Sequence, residues 1–211
     1  MAPPEPLPGP PLPAAFFARD PATVARELLG QLLVRRSDGS QVVARVVETE
    51  AYLGAEDRAS HAWGLRRTAR NAALYRPPGT AYVYFIYGMH HCLNVVANAD
   101  GRGGAVLFRA AEVLVGLEEV TARRGLTGRR LRGGDLLGGP GKLCQGLGID
   151  RALDGVRLDG DSLALLPGPR LAACDVAVGP RVGIAYAGDA AAWPLRFALR
   201  GHAEVSRPRL P

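Results

Sequence analysis

The chain has 211 residues, and 47% of them are hydrophobic, which favours one globular domain with a sizeable core and excludes a disordered protein. The 26 Lys and Arg residues exceed the 20 Asp and Glu residues, so the net charge is +6. This balance suits a polyanionic partner such as nucleic acid, while a basic protein without such a partner fits the charge equally well.

The N-terminal segment and the cysteines bear on location. Residues 1–13 are mostly proline and lack the basic start and apolar core of a signal peptide, so we expect a flexible Pro-rich tail followed by one domain over residues 14–211. The cysteines Cys92, Cys144 and Cys174 are scattered, with no Cys-x-x-Cys pair, which favours a reducing compartment. No apolar run is long enough to span a membrane. Together with the Arg-, Ala- and Gly-rich composition, these features predict a bacterial, cytoplasmic protein.

The first half of the chain predicts a helix and a hairpin. Asp20 and Pro21 are an N-cap and a first helical residue, and the helix through "ATVARELL" ends at Gly30. "QLLVRR" and "QVVARVVETEAY" flank "SDGS", whose Asp-Gly pair is typical of a β-hairpin turn. Residues 53–80 are polar, basic and rich in turn formers, and "RPPGT" at their end is incompatible with a helix interior.

The second half predicts another hairpin and two helices. "AYVYFIY" and "CLNVVAN" pair about Gly88, and a strand "AVLFRA" follows. "LVGLEEVTARRG" has helical spacing, and "GPGKLCQGLGI" forms a short helix with a glycine-rich start. The remainder, including "RVGIAYAG" and "PLRFALRG", is expected to form short strands and turns. Because hairpins dominate and strands do not alternate with helices, we predict an α+β fold with a mostly antiparallel sheet.

The stretch "VVARVVETEAYLG" offers a candidate general base. In a regular strand, alternate residues from Val42 to Tyr52 share one face, and Glu48 and Glu50 are among them. A carboxylate at the end of a buried strand is rigidly supported and partly desolvated, which suits acid–base chemistry. A pair of solvated glutamates at a strand end is an equally compatible interpretation.

The stretch "GGPGKLCQ" is not a nucleotide phosphate loop. Leu136 stands where the first glycine of that motif belongs, and Leu143 stands where it has Ser or Thr. A glycine-rich helix start can still bind a DNA phosphate through free N–H groups, with Lys142, the sole lysine, as a point charge. An ordinary junction between a loop and a helix remains the alternative.

The stretch "AYVYFIYGMHHCLNVV" favours an aromatic ligand over a metal. Tyr82 and Tyr84 share one face of the strand, whereas Tyr87 lies at the turn, an arrangement that suits stacking on nucleobases. A tyrosine-rich core strand explains Tyr82 equally well but not Tyr87. His90 and His91 are adjacent in a strand and point to opposite faces, so we expect no metal there.

These segments, in this order, resemble the alkyladenine DNA glycosylase family, also called methylpurine or 3-methyladenine DNA glycosylases. The resemblance extends from about residue 24 to residue 201, and the succession "ETEAYLG", "YGM" and "GKLCQ" is highly specific. It implies a single domain with a curved antiparallel sheet, surrounding helices and a DNA-inserting β-hairpin. It further implies a monomer with no cofactor and no metal, acting on double-stranded DNA that contains damaged purines, without a membrane.

The resemblance also implies roles for individual residues. Glu50 matches the carboxylate that activates a water, and Arg109 lies near that water. The residues matching the walls of a pocket for a flipped purine are Tyr52, His61 and Tyr84, with Asn94 placed to reject the amine of guanine. The residues matching DNA contacts are Tyr87, which fills the gap left in the duplex, and Met89, Thr68, Arg70 and Lys142. His90 and the loop at residues 125–139 depart from the family pattern.

The function implied is a monofunctional DNA glycosylase of base excision repair, associated with the bacterial nucleoid. Such an enzyme flips alkylated or deaminated purines, of the 3-methyladenine, 7-methylguanine, hypoxanthine and ethenoadenine class, out of the duplex. It hydrolyses the N-glycosidic bond and leaves an abasic site. The alternatives are a catalytically weak lesion-binding protein of the same fold and a metal-dependent nucleic-acid enzyme.

Overall fold

The computed structural model describes residues 9–37, 39–98, 101–169 and 171–210. Within these ranges, eight strands form one sheet in which every pairing is antiparallel, which confirms the predicted α+β class. The strands are β1 (Leu32–Ser37), β2 (Ser40–Tyr52), β3 (Ala81–Ile86), β4 (His90–Val96), β5 (Ala105–Val115), β6 (Leu163–Leu166), β7 (Val176–Gly179) and β8 (Arg196–Leu199).

Helices flank this sheet. The α-helices are α1 (Ala14–Phe17), α2 (Pro21–Glu27), α3 (Leu117–Arg123) and α4 (Pro140–Leu147). Short 3₁₀ helices occupy Trp63–Leu65, Ala69–Tyr75, Arg151–Leu153, Ala173–Asp175 and Ala185–Ala192. None of the helices within the described ranges is long and apolar enough to cross a membrane.

Strand β2 organises the sheet. The main strand order is β3-β4-β5-β2-β1-β6, and β8 also pairs with β2 and with β7. The first half of β2 pairs with β1, but from Glu48 to Glu50 its neighbour is β8. The register between β2 and β5 is irregular on both sides of Glu48. Such irregularities bend a strand and re-aim its side chains, which here brings the end of β2 into the interior.

The core lies between the sheet and the helices. On α2, Val24 and Ala25 are fully buried, and Leu28 directly after the helix is buried with them. On α4, Leu143 and Leu147 are likewise at 0% exposure. These side chains join the inward face of the sheet in one large apolar cluster, so the hydrophobic effect fixes both helices against β2, β4 and β5.

Most predicted elements form where expected. Asp20 caps α2, since its carboxylate accepts a hydrogen bond from the Thr23 amide at 2.9 Å. The β1–β2 hairpin closes between Ser37 and Ser40, although Asp38 of its turn lies outside the described residues. Of the expected tail, residues 1–8 also lie outside them, while Leu12 is buried and its amide donates to the carbonyl of Leu165.

Two predictions are wrong in part. Leu114 and Val115 were expected to begin a helix, but they end β5, and α3 begins at Leu117 after Gly116. The segment "RVGIAYAG" was expected to form strands and turns, but its second half lies in the 3₁₀ helix Ala185–Ala192. The 3₁₀ turns bury the alanine side chains of Ala187 and Ala190 against Ile184 and Ala59. Small residues give weak strand preference, so packing against this satellite cluster determines the local structure.

Candidate active site

A cavity of about 300 Å³, called the central cavity below, opens beside the β3–β4 hairpin. The end of β2 and the segment 182–186 form its other sides. It brings together residues that are far apart in the sequence. The predicted site residues that line it are Glu50, Tyr52, His61, Tyr84, Tyr87, Asn94 and Arg109.

Glu50 is fixed within this cavity by three donors. Its Oε1 accepts a hydrogen bond from the Val182 amide at 2.7 Å and lies 3.1 Å from a terminal nitrogen of Arg109. Its Oε2 accepts from the hydroxyl of Tyr52 at 2.9 Å. The side chain is 0% exposed in the protein alone, so the interpretation of Glu48 and Glu50 as a solvated pair is wrong. Such an arrangement holds a carboxylate in one orientation.

Arg109 links Glu50 to a second buried carboxylate, Glu48. The Nε of Arg109 donates to Oε1 of Glu48 at 2.8 Å, while its terminal nitrogen faces Glu50. Burial alone would lower the pKa of Arg109, but the nearby Glu50 and Glu48 carboxylates outweigh it and raise the pKa. Arg109 therefore remains a cation while almost fully removed from water.

Aromatic side chains form the cavity walls. The ring centroids of Tyr82 and Tyr84 are 5.4 Å apart, and those of His61 and Tyr84 are 4.6 Å apart. The Nδ1 of His61 lies 2.8 Å from the hydroxyl of Tyr82. Burial raises the pKa of all three tyrosines that line the cavity interior, Tyr52, Tyr82 and Tyr84, so their hydroxyls stay protonated.

His61 stands at the exposed mouth of this wall. Partial burial of the ring lowers its pKa below the usual 6.5, and the cation of Arg70 lowers it further. The imidazole is therefore neutral at physiological pH. His61 itself therefore adds no positive charge to the wall.

A buried ion pair supports the opposite wall. The guanidinium carbon of Arg181 lies 4.7 Å from the ring centroid of Tyr52. Arg181 is paired with Asp57, and both side chains are 0% exposed. Asp57 also accepts from the amides of Leu53 and Ala59. Because Arg181 directly precedes Val182, this pair fixes the amide that donates to Glu50.

The tip of the β3–β4 hairpin presents two apolar side chains to solvent. Tyr87 and Met89 are 77% and 69% exposed. Tyr87 and Gly88 have φ values of 56° and 67°, as in the type I′ turns that favour hairpins. Asn94 lies across the same hairpin, where it is buried and its Nδ2 donates to the carbonyl of Tyr82 at 3.1 Å.

The remaining predicted DNA contacts do not line the central cavity. Thr68 and Arg70 line a neighbouring depression that shares His61 and Tyr82 with the cavity. Arg70 also donates to the carbonyl of Phe85 at 2.9 Å. Lys142 lies on α4, where its Nζ donates to the carbonyl of Gly134 at 2.6 Å and its side chain is partly buried.

His90 and His91 lie on opposite faces of β4. His90 faces the central cavity, whereas His91 packs on Phe85 with ring centroids 4.9 Å apart. Within the described part of the chain, no group of three or more His, Cys, Asp or Glu side chains is placed to hold a metal ion. Cys92 lines the cavity and is buried, and burial raises its pKa.

Two further residues that sequence reasoning did not select, Tyr82 and Val182, also shape the site. Tyr82 was left open between a core residue and a stacking residue, and the strand alternation that places it beside Tyr84 was the available signal. Val182 acts through its backbone amide, which any residue other than proline supplies, so no sequence signal marks it.

Comparison with known proteins identifies the chain's relatives. Residues 15–203 match the family model described as methylpurine-DNA glycosylase. A bacterial protein from Anaeromyxobacter dehalogenans (strain 2CP-C) is 50% identical over 200 residues, which cover 93% of this chain and 87% of that protein. The DNA-3-methyladenine glycosylases of Mus musculus and Homo sapiens are 45% and 44% identical; each match covers 90% of this chain, and 60% and 66% of the mammalian proteins.

The class of protein that these matches define is a DNA glycosylase that acts in DNA repair, which confirms the enzyme class predicted from the sequence. The chain belongs to the methylpurine-DNA glycosylase family. The match includes the residues that line the central cavity, and it ends at residue 203.

Proposed function

We propose that the protein excises damaged purines, with 3-methyladenine as the leading substrate, by flipping them from duplex DNA into the central cavity. The observation that carries the proposal is the buried carboxylate of Glu50, held by three donors beside an aromatic-walled cavity. The names of the mammalian relatives support the choice of 3-methyladenine. Hypoxanthine, ethenoadenine and 7-methylguanine belong to the same proposed substrate class.

The walls suit a flipped and positively charged base. A cavity of about 300 Å³ is at the lower end of the range for small-molecule sites, as expected for a single base. Alkylation at N3 gives adenine a positive charge, which the faces of Tyr52 and Tyr84 attract by cation–π interaction. The lowered pKa of His61 keeps its imidazole neutral, so His61 itself does not repel the cationic base.

Glu50 is the proposed general base. Each carboxylate oxygen has two lone pairs, and among the described residues Oε2 accepts only from Tyr52, so it retains capacity to accept a proton from water. The activated water attacks the sugar carbon as the base departs. General-base catalysis contributes about 10²- to 10⁴-fold, and the negative charge also stabilises an oxocarbenium-like sugar. A cationic base needs no added proton to leave.

The surface around the cavity suits duplex DNA. Tyr87 and Met89 project from the hairpin tip, where insertion into the duplex would replace the stacking lost on flipping. Thr68, Arg70 and Lys142 are proposed as contacts to the backbone or groove. We propose further that the protein acts as a monomer on nucleoid DNA in the bacterial cytoplasm.

The proposed product is an abasic site in an intact strand. Strand cleavage by a glycosylase requires an amine that forms a Schiff base with the sugar. Lys142 is the sole lysine of the chain, and it lies outside the central cavity with its Nζ bonded to the carbonyl of Gly134. This placement supports the proposal of a monofunctional reaction.

A Glu50→Gln variant tests the proposal. It keeps the shape of the side chain and removes its basicity, so release of 3-methyladenine from methylated duplex DNA should fall by at least about 100-fold. Binding to lesion-containing DNA should change little. Glu112→Gln is the matched control, since it alters a partly exposed glutamate on β5 that does not line the cavity.

Three outcomes separate the candidate functions. The proposal is supported if the wild type releases the base in the presence of a chelator and Glu50→Gln does not release it. Binding of lesions by the wild type without release would identify a lesion-binding protein. Release that the chelator abolishes would point to a metal-dependent enzyme, and release by Glu50→Gln at more than a tenth of the wild-type rate would exclude Glu50 as the base.

A further inference from the structure

A buried network behind the central cavity is centred on Glu48. Its Oε1 accepts from Arg109 Nε at 2.8 Å, from Arg196 Nε at 2.6 Å and from Ser206 Oγ at 2.9 Å. Its Oε2 accepts from the Ser206 amide at 2.7 Å. Glu48 is 0% exposed and does not line the cavity, so it is placed to act on neighbouring residues and not on a ligand.

This network fixes the orientation of Arg109. The guanidinium is planar, and its Nε is held by Glu48 while one terminal nitrogen donates to Ser206 Oγ at 3.0 Å. With two of its nitrogens held, the other terminal nitrogen is directed to Glu50 at 3.1 Å. Ser206 Oγ therefore bridges the two partners, accepting from Arg109 and donating to Glu48.

Arg196 completes the charge balance of the network. The two buried carboxylates, Glu48 and Glu50, face two buried guanidiniums, Arg109 and Arg196. Arg196 also donates to the carbonyls of Ser206 and Pro208, which ties the network to the C-terminal segment, residues 205–210. Because Arg196 offsets the charge of Glu48, Arg109 can serve Glu50 without leaving a buried charge unpaired.

We propose that Glu48 and Ser206 are positioning residues that hold Arg109 against Glu50, so that the C-terminal segment supports catalysis from outside the cavity. The inference rests on the proposed function, because it assigns these residues to the excision step. Loss of either contact frees the guanidinium to turn away from Glu50. A misplacement of about 1 Å in a catalytic group lowers rates by as much as roughly 100-fold, so the effect should be large and confined to the chemical step.

The test is a double-mutant cycle on single-turnover excision of 3-methyladenine. Ser206→Ala and Glu48→Gln are each made in the wild-type chain and in an Arg109→Gln chain. In the wild-type chain, each should lower the excision rate constant by roughly 10- to 100-fold and leave the dissociation constant for lesion DNA within about twofold. In the Arg109→Gln chain, neither should lower the rate further, because its target is gone.

Control variants and a second readout make the outcome decisive. Glu112→Gln breaks the pair with Arg45, which joins the same two strands away from the cavity, and should leave the rate unchanged. If circular dichroism shows that Glu48→Gln is unfolded, the test relies on Ser206→Ala. This variant retains both carboxylates and the backbone amide of residue 206. In NMR spectra, the Arg109 Nε–H should exchange slowly with solvent, and faster in Ser206→Ala.

Opposite results would overturn the inference. Equal rate losses in both backgrounds would show that the residues do not act through Arg109, and unchanged rates with unchanged Nε–H exchange would show that they do not position it. The proposed function is judged separately, by wild-type release and its loss in Glu50→Gln. If the wild type releases no base, the proposed function is wrong. The exchange rate of the Arg109 Nε–H still tests whether Glu48 and Ser206 position Arg109.

Discussion

The exposed ring of Tyr87 gives the sharpest test of how the protein would engage a duplex. The side chain is 77% exposed on a hairpin turn, so Tyr87→Ala should leave the fold intact. In a duplex, the ring would restore stacking of about 1–3 kcal/mol where the base has left. At 1.4 kcal/mol per tenfold, duplex excision at limiting enzyme should fall by roughly 5- to 150-fold. A single strand leaves no comparable gap, so its excision should change little.

The measurement is the ratio of duplex to single-strand excision. Tyr87→Phe keeps the ring and should preserve the wild-type ratio, whereas Tyr84→Ala removes a cavity wall and should lower both rates together. Placing the lesion in a mismatch should relieve the defect of Tyr87→Ala, since the unpairing is then easier. If Tyr87→Ala and the wild type give equal ratios, the hairpin tip does not act as a wedge and the reasoning fails.

Two further predictions concern the cavity walls. Asn94→Ser shortens a buried side chain that lines the cavity. It should raise the release of guanine-type bases relative to hypoxanthine by roughly 10-fold. An unchanged ratio of the two in competition assays would count against a role of Asn94 in rejecting guanine. His61 should titrate below pH 6.5 in NMR spectra, and Arg70→Gln should move its midpoint upward. Because folding lowers this pKa, protonation opposes the folded state, so stability from this group is lost as the pH falls below 6.5. A midpoint at or above 6.5 would contradict the assigned environment.

Local signals in the sequence predicted the hairpins and capped helices. The N-cap at Asp20 and the turn at Gly88 depend on residues next to one another in the chain, and both form as expected. The segment 53–80 was expected to be polar turns, and within it "ARNAALY" forms a 3₁₀ helix whose Leu74 and Ala73 pack against Tyr82. That packing comes from a strand outside the segment, so composition alone could not predict it.

The supporting network of the site depends on long-range contacts. The alternation in "ETEAY" placed Glu48 and Glu50 on one face, but it left open whether water or protein surrounds them. Several of their donors are distant in the chain: Arg109 and Val182 for Glu50, and Ser206 for Glu48, lie 59 to 158 residues away. The antiparallel sheet, in which β8 and not β1 lies beside Glu48, brings β5 and the segments flanking β8 to the end of β2. Hydrogen bonds of this kind follow topology and not local pattern.

Cys92 lies in the cavity wall, so its reactivity toward alkylating agents bears on the shape of the cavity. Such agents react with the thiolate and not with the thiol. Burial raises the pKa of Cys92, and burial raises that of Cys144 behind it well above its usual value, so both are kept in the unreactive form. A methyl group added to Cys92 would intrude on the central cavity. The packing that shapes the cavity thus also keeps these two thiols protonated.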